Sequence, residues 1–151
     1  MRKNKVISIK PGNIGIVAVH PNIIVSTRAA RAILPKKLSL EDLSFNIGSA
    51  ASMVVGMMKG DLKLIGESME NRVIEEIRSG LITGYAWVKK SALEAGAAGV
   101  TISGSGPTML AVCEMGEREK IARAMVAAFT EKRVKSEAFI TTIGKGAEII
   151  A

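Results

Sequence analysis

The rhythm of apolar and polar positions changes several times along the chain. Between Asn13 and Asn22, NIGIVAVHPN is almost continuously apolar and ends in a Pro turn, which predicts a buried strand. STRAARAILP follows as a short helix that Ser26 or Thr27 caps and Pro35 stops. In SLEDLSFNIGSAASMVVGMMKGD, Ser39 and Asp42 come close to a capping box. Leu43, Ile47, Ala50, Val54 and Met58 then recur at helical spacing as an apolar face, and Gly60 ends the helix. A further helix starts at Asp61 in DLKLIGESMENRVIEEIRSG, with Leu64, Ile65, Met69, Val73 and Ile77 on its apolar side. GYAWVKKSALEAG is another, closed by Gly96. AGVTIS and TMLAVCE read as two strands joined by a glycine-serine loop. EREKIARAMVAAFTEKRVK is strongly amphipathic: Ile121, Met125, Ala128 and Phe129 face inward, with acids in the first turn and bases in the last. SEAFITTIG closes the series as a strand.

The order is strand, several helices, strand, strand, helix, strand. It predicts an α+β domain of the ferredoxin-like, split βαβ type: an antiparallel sheet covered by helices on one face, with extra helices in the first crossover. No repeat or low-complexity tract interrupts it. Residues 1–12 are polar and are expected to be the tail of a preceding segment, with the domain itself occupying 13–151.

Composition narrows the class. The 151 residues are 48% hydrophobic and 23% charged, as in an ordinary globular domain, and only 3% are aromatic, so the core must be aliphatic with help from eight Met. No apolar run approaches the ~20 residues of a membrane helix. The basic N-terminus has no long apolar stretch behind it and is not a secretory signal. The single Cys113 sits in a strand-like run, where a buried, inert thiol in a reducing cytoplasm is the expectation. The net charge of +7 raises nucleic acid as a partner. Its basic residues are spread along the whole chain and there are few aromatics to stack on bases, so no nucleic-acid partner is expected. A binder of phosphorylated or carboxylate metabolites carries the same charge.

The loop in GVTISGSGPTMLAV is the main chemical feature. Gly104 and Gly106 permit positive φ and expose backbone N–H groups, and successive exposed N–H groups make a nest for an anionic oxygen. Ser103 and Ser105 add hydroxyls, and Pro107 stiffens the exit. No Gly-Lys-Ser/Thr follows, and the next element is a strand, so this is not a Walker A loop. A plain hairpin connection is the competing reading. NIGSAAS, Asn46 to Ser52, has a Gly-Ser-Ala core but lies inside a helical period, where small residues serve close packing. His20 precedes a Pro and reads as a half-exposed turn residue. It has no second His or Cys to build a metal site. Thr27 and Arg31 are four apart and project from one helix face. Arg78 has Glu75 at helical pairing distance. Asn46 is a further candidate on its helix, while Arg28 and Arg72 read as surface residues.

GVTISGSGPTMLAV resembles the third motif of the GHMP small-molecule kinases. Together with STRAARAILP, NRVIEEIRSGLITGY and EAGAAGVTISGSGPT, it is similar to the homoserine kinases within that superfamily, over Asn13 to the C-terminus. The resemblance implies the fold of the family's C-terminal domain and phosphoryl transfer from ATP to the hydroxyl of L-homoserine, in threonine biosynthesis. It places Arg31 and Arg78 on the substrate carboxylate with Thr27 beside them. The Ser103, Gly104, Ser105 and Gly106 nest then lies near the transferring phosphoryl group. The family's Gly-Leu-Gly-Ser-Ser-Ala nucleotide motif is absent. ATP and Mg²⁺ are therefore expected to be held mainly by an N-terminal domain, supplied in cis or in trans, with no catalytic residue in this chain. The face that meets that domain is expected to expose apolar area and to favour a homodimer. A mevalonate-type substrate, or a non-catalytic ligand-binding or dimerisation module, is the alternative.

Overall fold

The computed structural model describes residues 9–144 and 146. The elements run β1 (Gly15–Pro21), α1 (Thr27–Ala32), α2 (Leu40–Lys59), α3 (Leu62–Ser68), α4 (Ile74–Ser79), α5 (Tyr85–Glu94), β2 (Gly99–Ile102), β3 (Met109–Cys113), α6 (Arg118–Glu131) and β4 (Ser136–Thr142). The sheet order is β2-β3-β1-β4, antiparallel throughout, with Gly15 opposite Cys113 on one side and Thr142 on the other. This is the expected α+β plan, with α1 to α4 inserted in the first crossover.

β1 alternates as a strand with two different faces should. Val17 and Val19 are fully buried in the main core with Met109, Ala111 and Cys113 of β3. Val88 and Ala92 of α5 and Ile121, Met125 and Phe129 of α6 close that core. Ile14 and Val112 belong to a second cluster, with Ile65 of α3 and Met69 just after it. Helices therefore lie on both faces and not on one as expected, because α3 covers the second. Its approach needs glycine: a Cβ on Gly66 would stand 1.8 Å from the Ala98 carbonyl oxygen, and one on Gly99 2.6 Å from Gly66 Cα. Cys113 is buried as expected, its thiol 3.7 Å from the Gly15 carbonyl.

Three further sequence expectations change. The stripe Leu43, Ile47, Ala50, Val54 and Met58 of α2 faces outward, with Ile47 62% and Met58 63% exposed. The opposite side packs on α3 instead, because Gly56 admits Ile65: a Cβ there would meet Ile65 Cγ1 at 2.8 Å. The helix expected from Asp61 to Gly80 is two helices. Asn71 Oδ1 accepts from the amides of Val73 and Ile74, which starts α4 afresh and breaks the run after Met69. α6 ends at Glu131, so Lys132 and Arg133 lie at its C-cap and beyond, not in its last turn. Of residues 1–12, expected to be the tail of a preceding segment, residues 1–8 lie outside the described residues; Gly12 packs on the C-cap Gly60 and donates to the Met57 carbonyl.

The caps of α1 and α2 follow the sequence. Ser26 Oγ accepts from the Ala29 amide, and Ser39 Oγ from the Asp42 amide. Gly60, at φ 67°, closes α2. Gly48 of NIGSAAS sits mid-helix with nothing near its missing Cβ, so the close packing falls to Gly56, outside that stretch.

Candidate functional site

Three separate segments meet at the glycine turn. β2 and β3 form a hairpin closed by the Ser103 amide donating to the Thr108 carbonyl. Within it, Gly104 (φ 61°) and Gly106 (φ 82°) occupy the left-handed region that favours glycine. The Gly106–Pro107 peptide is cis, and Pro107 is buried. The Gly106 amide donates to the Ser103 carbonyl at 3.0 Å. The four-residue nest is therefore smaller than expected, because the turn itself uses the Ser103 and Gly106 amides. The amides of Gly104 and Ser105 donate to no backbone carbonyl among the described residues.

α1 approaches this turn from one side. Thr27 Oγ1 lies 3.3 Å from Ser105 Oγ, within hydrogen-bond distance. α4 approaches from the other. Arg78 Nη1 donates to the Gly104 carbonyl at 2.8 Å, and Nε donates to the Ala30 carbonyl at 3.3 Å. One guanidinium thus ties α1 to the glycine turn. Two of its five N–H groups are used and three remain. Thr27, Arg78, Gly104 and Ser105 are brought together at an open surface. Arg31 is one turn beyond Thr27 on α1 and exposed, and its side chain makes no hydrogen bond or ion pair among the described residues. Asn46 lies on α2, which packs on α3.

His20 is exposed at the end of β1, with Nδ1 2.8 Å from Thr108 Oγ1 beside the turn. Arg72 stacks over the Phe45 ring, 3.9 Å from its centroid, and pairs loosely with Glu41 and Glu70. It ties the start of α2 to the α3–α4 connection, as a surface residue can.

Glu75 does not pair with Arg78, as its spacing suggested. It is 7% exposed, the only buried charged residue among those described. Oε1 accepts from the Tyr85 hydroxyl and the Lys89 ammonium, and Thr101 Oγ1 donates to Oε2 at 3.4 Å. Burial, reinforced by the bond to Glu75, pushes the Tyr85 phenol far above its ordinary range. The partners lie on α5 and β2, too distant in sequence for periodicity to link them to Glu75. Burial pushes the Cys113 thiol up as well, which keeps it inert.

Among the described residues no three His, Cys, Asp or Glu side chains stand close enough to hold a metal ion, and no helix is long and apolar enough to cross a membrane.

Comparison with known proteins gives a consistent result. The sequence model of the family described as "GHMP kinases C terminal" matches residues 53–131, just over half of the chain. The homoserine kinase of Methanocella arvoryzae is 48% identical over 136 residues, covering 90% of this chain and 45% of that protein. That of Moorella thermoacetica is 43% identical over 129 residues, covering 85% and 43%. The crystal structure of homoserine kinase from Cytophaga hutchinsonii superposes with a TM-score of 0.89 at 36% identity, over 93% of this chain and 45% of the other. L. major mevalonate kinase, solved with R-mevalonate, shares the fold at a TM-score of 0.69 and 17% identity, over 93% and 45%. The chain spans about half the length of the curated relatives it matches. A split βαβ sheet, a glycine turn gripped by α1 and α4, and a matching family model agree: this chain belongs to the GHMP kinases, in their C-terminal region.

Proposed function

We propose that this chain is the substrate-side half of a homoserine kinase, transferring the γ-phosphoryl group of ATP to the hydroxyl of L-homoserine in threonine biosynthesis. The observation that carries this reading is the junction at Arg78, which gathers Thr27, Ser105 and the Gly104 backbone onto one surface. The three N–H groups of Arg78 and the guanidinium of Arg31 that find no partner among the described residues present planar forks suited to an α-carboxylate. The Thr27 and Ser105 hydroxyls can hold the substrate backbone. The Gly104 and Ser105 amides can face an anionic phosphoryl oxygen.

In this reaction the substrate hydroxyl oxygen forms a bond to the γ-phosphorus while the bond to the departing ADP breaks, and the hydroxyl proton is released. Positioning and charge stabilisation dominate such transfers. This chain supplies substrate positioning. ATP and its Mg²⁺ would be gripped mainly by a nucleotide-binding domain acting with it.

The apolar stripe of α2 is the surface we assign to a second copy. Its five positions run along α2 on the side away from α3, so two copies can lay the same stripe against each other. The single buried Cys113 suits a cytoplasmic setting.

The test is direct. The purified chain is assayed for O-phosphohomoserine with ATP and L-homoserine, alone and mixed with a nucleotide-binding half from a homoserine kinase. Turnover is expected only in the mixture. Saturating L-homoserine should shift the amide signals of Thr27, Gly104 and Ser105 in the chain alone. Robust turnover by the chain alone would overturn the half-enzyme reading. Indifference of those signals to L-homoserine, with a response to R-mevalonate, would overturn the substrate.

A further inference from the structure

A buried carboxylate is costly unless its oxygens are well partnered. Glu75 meets that demand through three donors, all from outside α4. It is also the only buried residue of α4. α4 has six residues, too few to hold its shape without tertiary support. Ile74 on the same helix is 37% exposed. This carboxylate is therefore the most deeply buried anchor of α4, gripping Tyr85 and Lys89 of α5 and Thr101 of β2.

The same helix carries Arg78, one turn on. The two residues touch the same hairpin at two heights. Glu75 holds Thr101, in the strand that leads to the turn, and Arg78 holds Gly104 at the turn. α4 is thus fixed at one end by Glu75 and delivers Arg78 with the other. If α4 rotates or frays, Arg78 cannot reach the Ala30 and Gly104 carbonyls together.

We propose that Glu75 is a positioning residue for substrate recognition: its knot with Tyr85, Lys89 and Thr101 sets the angle of α4 that places the Arg78 guanidinium between α1 and the glycine turn. This rests on the reading of Arg78 as a substrate-carboxylate residue, but the positioning itself can be read without substrate.

The experiment follows the Arg78 Nε–H signal by NMR in the chain, together with L-homoserine titration. In the unaltered chain that proton is held by the Ala30 carbonyl and is expected to exchange slowly. Glu75→Gln keeps an acceptor for Tyr85 but discards the ion pair with Lys89. It is expected to speed Arg78 Nε–H exchange at least tenfold and to weaken L-homoserine binding about tenfold. Lys89→Gln, at a partly exposed position, serves if Glu75→Gln fails to fold, with a smaller effect of about threefold to fivefold on both readouts. A carboxylate with a merely structural role would lower the melting temperature yet leave the Arg78 proton as protected as the backbone amides of β2. That result, in either folded variant, overturns the proposal. If the Arg78 signal depends on Glu75 while the unaltered chain ignores L-homoserine, the positioning stands and the substrate assignment falls.

Discussion

Replacing each of the two arginines by lysine should separate their roles. Arg78 is half-buried and ties two carbonyls from different segments, Gly104 at 2.8 Å and Ala30 at 3.3 Å. Arg31 is exposed and has no protein partner among the described residues. A lysine keeps the charge but concentrates it at one atom and cannot span both carbonyls. A hydrogen bond from a charged donor is worth roughly 1.5–3 kcal/mol when sheltered. Partial exposure and the long Ala30 contact reduce this, so Arg78→Lys should cost about 1–2 kcal/mol of stability. For a chain of this length that lowers Tm by about 2–8 °C. Arg31→Lys breaks no side-chain contact among the described residues and should stay within about 0.5 kcal/mol. Both lose a planar fork, so L-homoserine binding should weaken about tenfold to hundredfold in each. Thermal melts and L-homoserine titration of the two variants give the answer. Equal melts for the two variants would refute the tie between α1 and the turn. Unchanged affinity in both would remove the clamp.

Three further predictions follow from packing, titration and surface. Gly66→Ala, whose Cβ would collide with the Ala98 carbonyl, should destabilise by about 3 kcal/mol or more, whereas Gly48→Ala, in open space within α2, should stabilise by about 0.5–1 kcal/mol; denaturant midpoints decide, and a tolerated Gly66→Ala would contradict the α3–β2 contact. The folded chain keeps the Tyr85 proton at pH values where the unfolded chain releases it, because burial and Glu75 raise that phenol above its ordinary 10.0. Its contribution is therefore intact below about pH 10 and is lost as pH climbs further, so Tyr85→Phe should flatten the alkaline fall in stability, and an unchanged slope would refute the buried phenol. Ile47→Glu, in the middle of the exposed α2 stripe, should shift sedimentation of the chain from dimer to monomer while leaving its circular dichroism alone; a chain that sediments as a monomer before any substitution would end the pairing assigned to α2.

Much of the fold is legible because each strand and helix has its own local signal. Val17 and Val19 alternate in β1, and Ile121, Met125, Ala128 and Phe129 recur in α6, so both buried faces are readable directly. α2 shows what periodicity leaves out. It has two surfaces able to pack: the regular stripe through Leu43, Ile47 and Val54, and the side bearing Met53, Gly56 and Met57. Spacing marks the first because it recurs without a gap from Leu43 to Met58, whereas Gly56 interrupts the second. The fold uses the second because Gly56 lets Ile65 come close, and a gain from close approach is invisible to any count of apolar residues. The Asp61–Gly80 segment fails differently. Met69, Val73 and Ile77 keep a helical rhythm across a break, and the only sign of the break is Asn71, whose side chain caps the second helix.

The site divides along the same line between local and distant partners. The turn glycines are readable because positive φ demands them, though which amides stay free depends on a hydrogen bond from Gly106 to Ser103 that only the folded turn shows. Thr27 and Arg31 are linked by helical spacing, and resemblance supplies their role. Arg78 is readable as a candidate, but its function as a tie between two segments is not, since Ala30 and Gly104 lie 48 and 26 residues away. Glu75 is the sharpest case. Helical spacing offers Arg78 as its partner, and an exposed pair of that kind contributes only a few tenths of a kcal/mol. Burial reverses the choice. Once α4 lies against α5 and β2, a carboxylate facing inward must find donors there. Tyr85 and Lys89 supply them, which leaves the Arg78 guanidinium free to turn outward to the glycine turn. The two residues act together because they do not pair with each other.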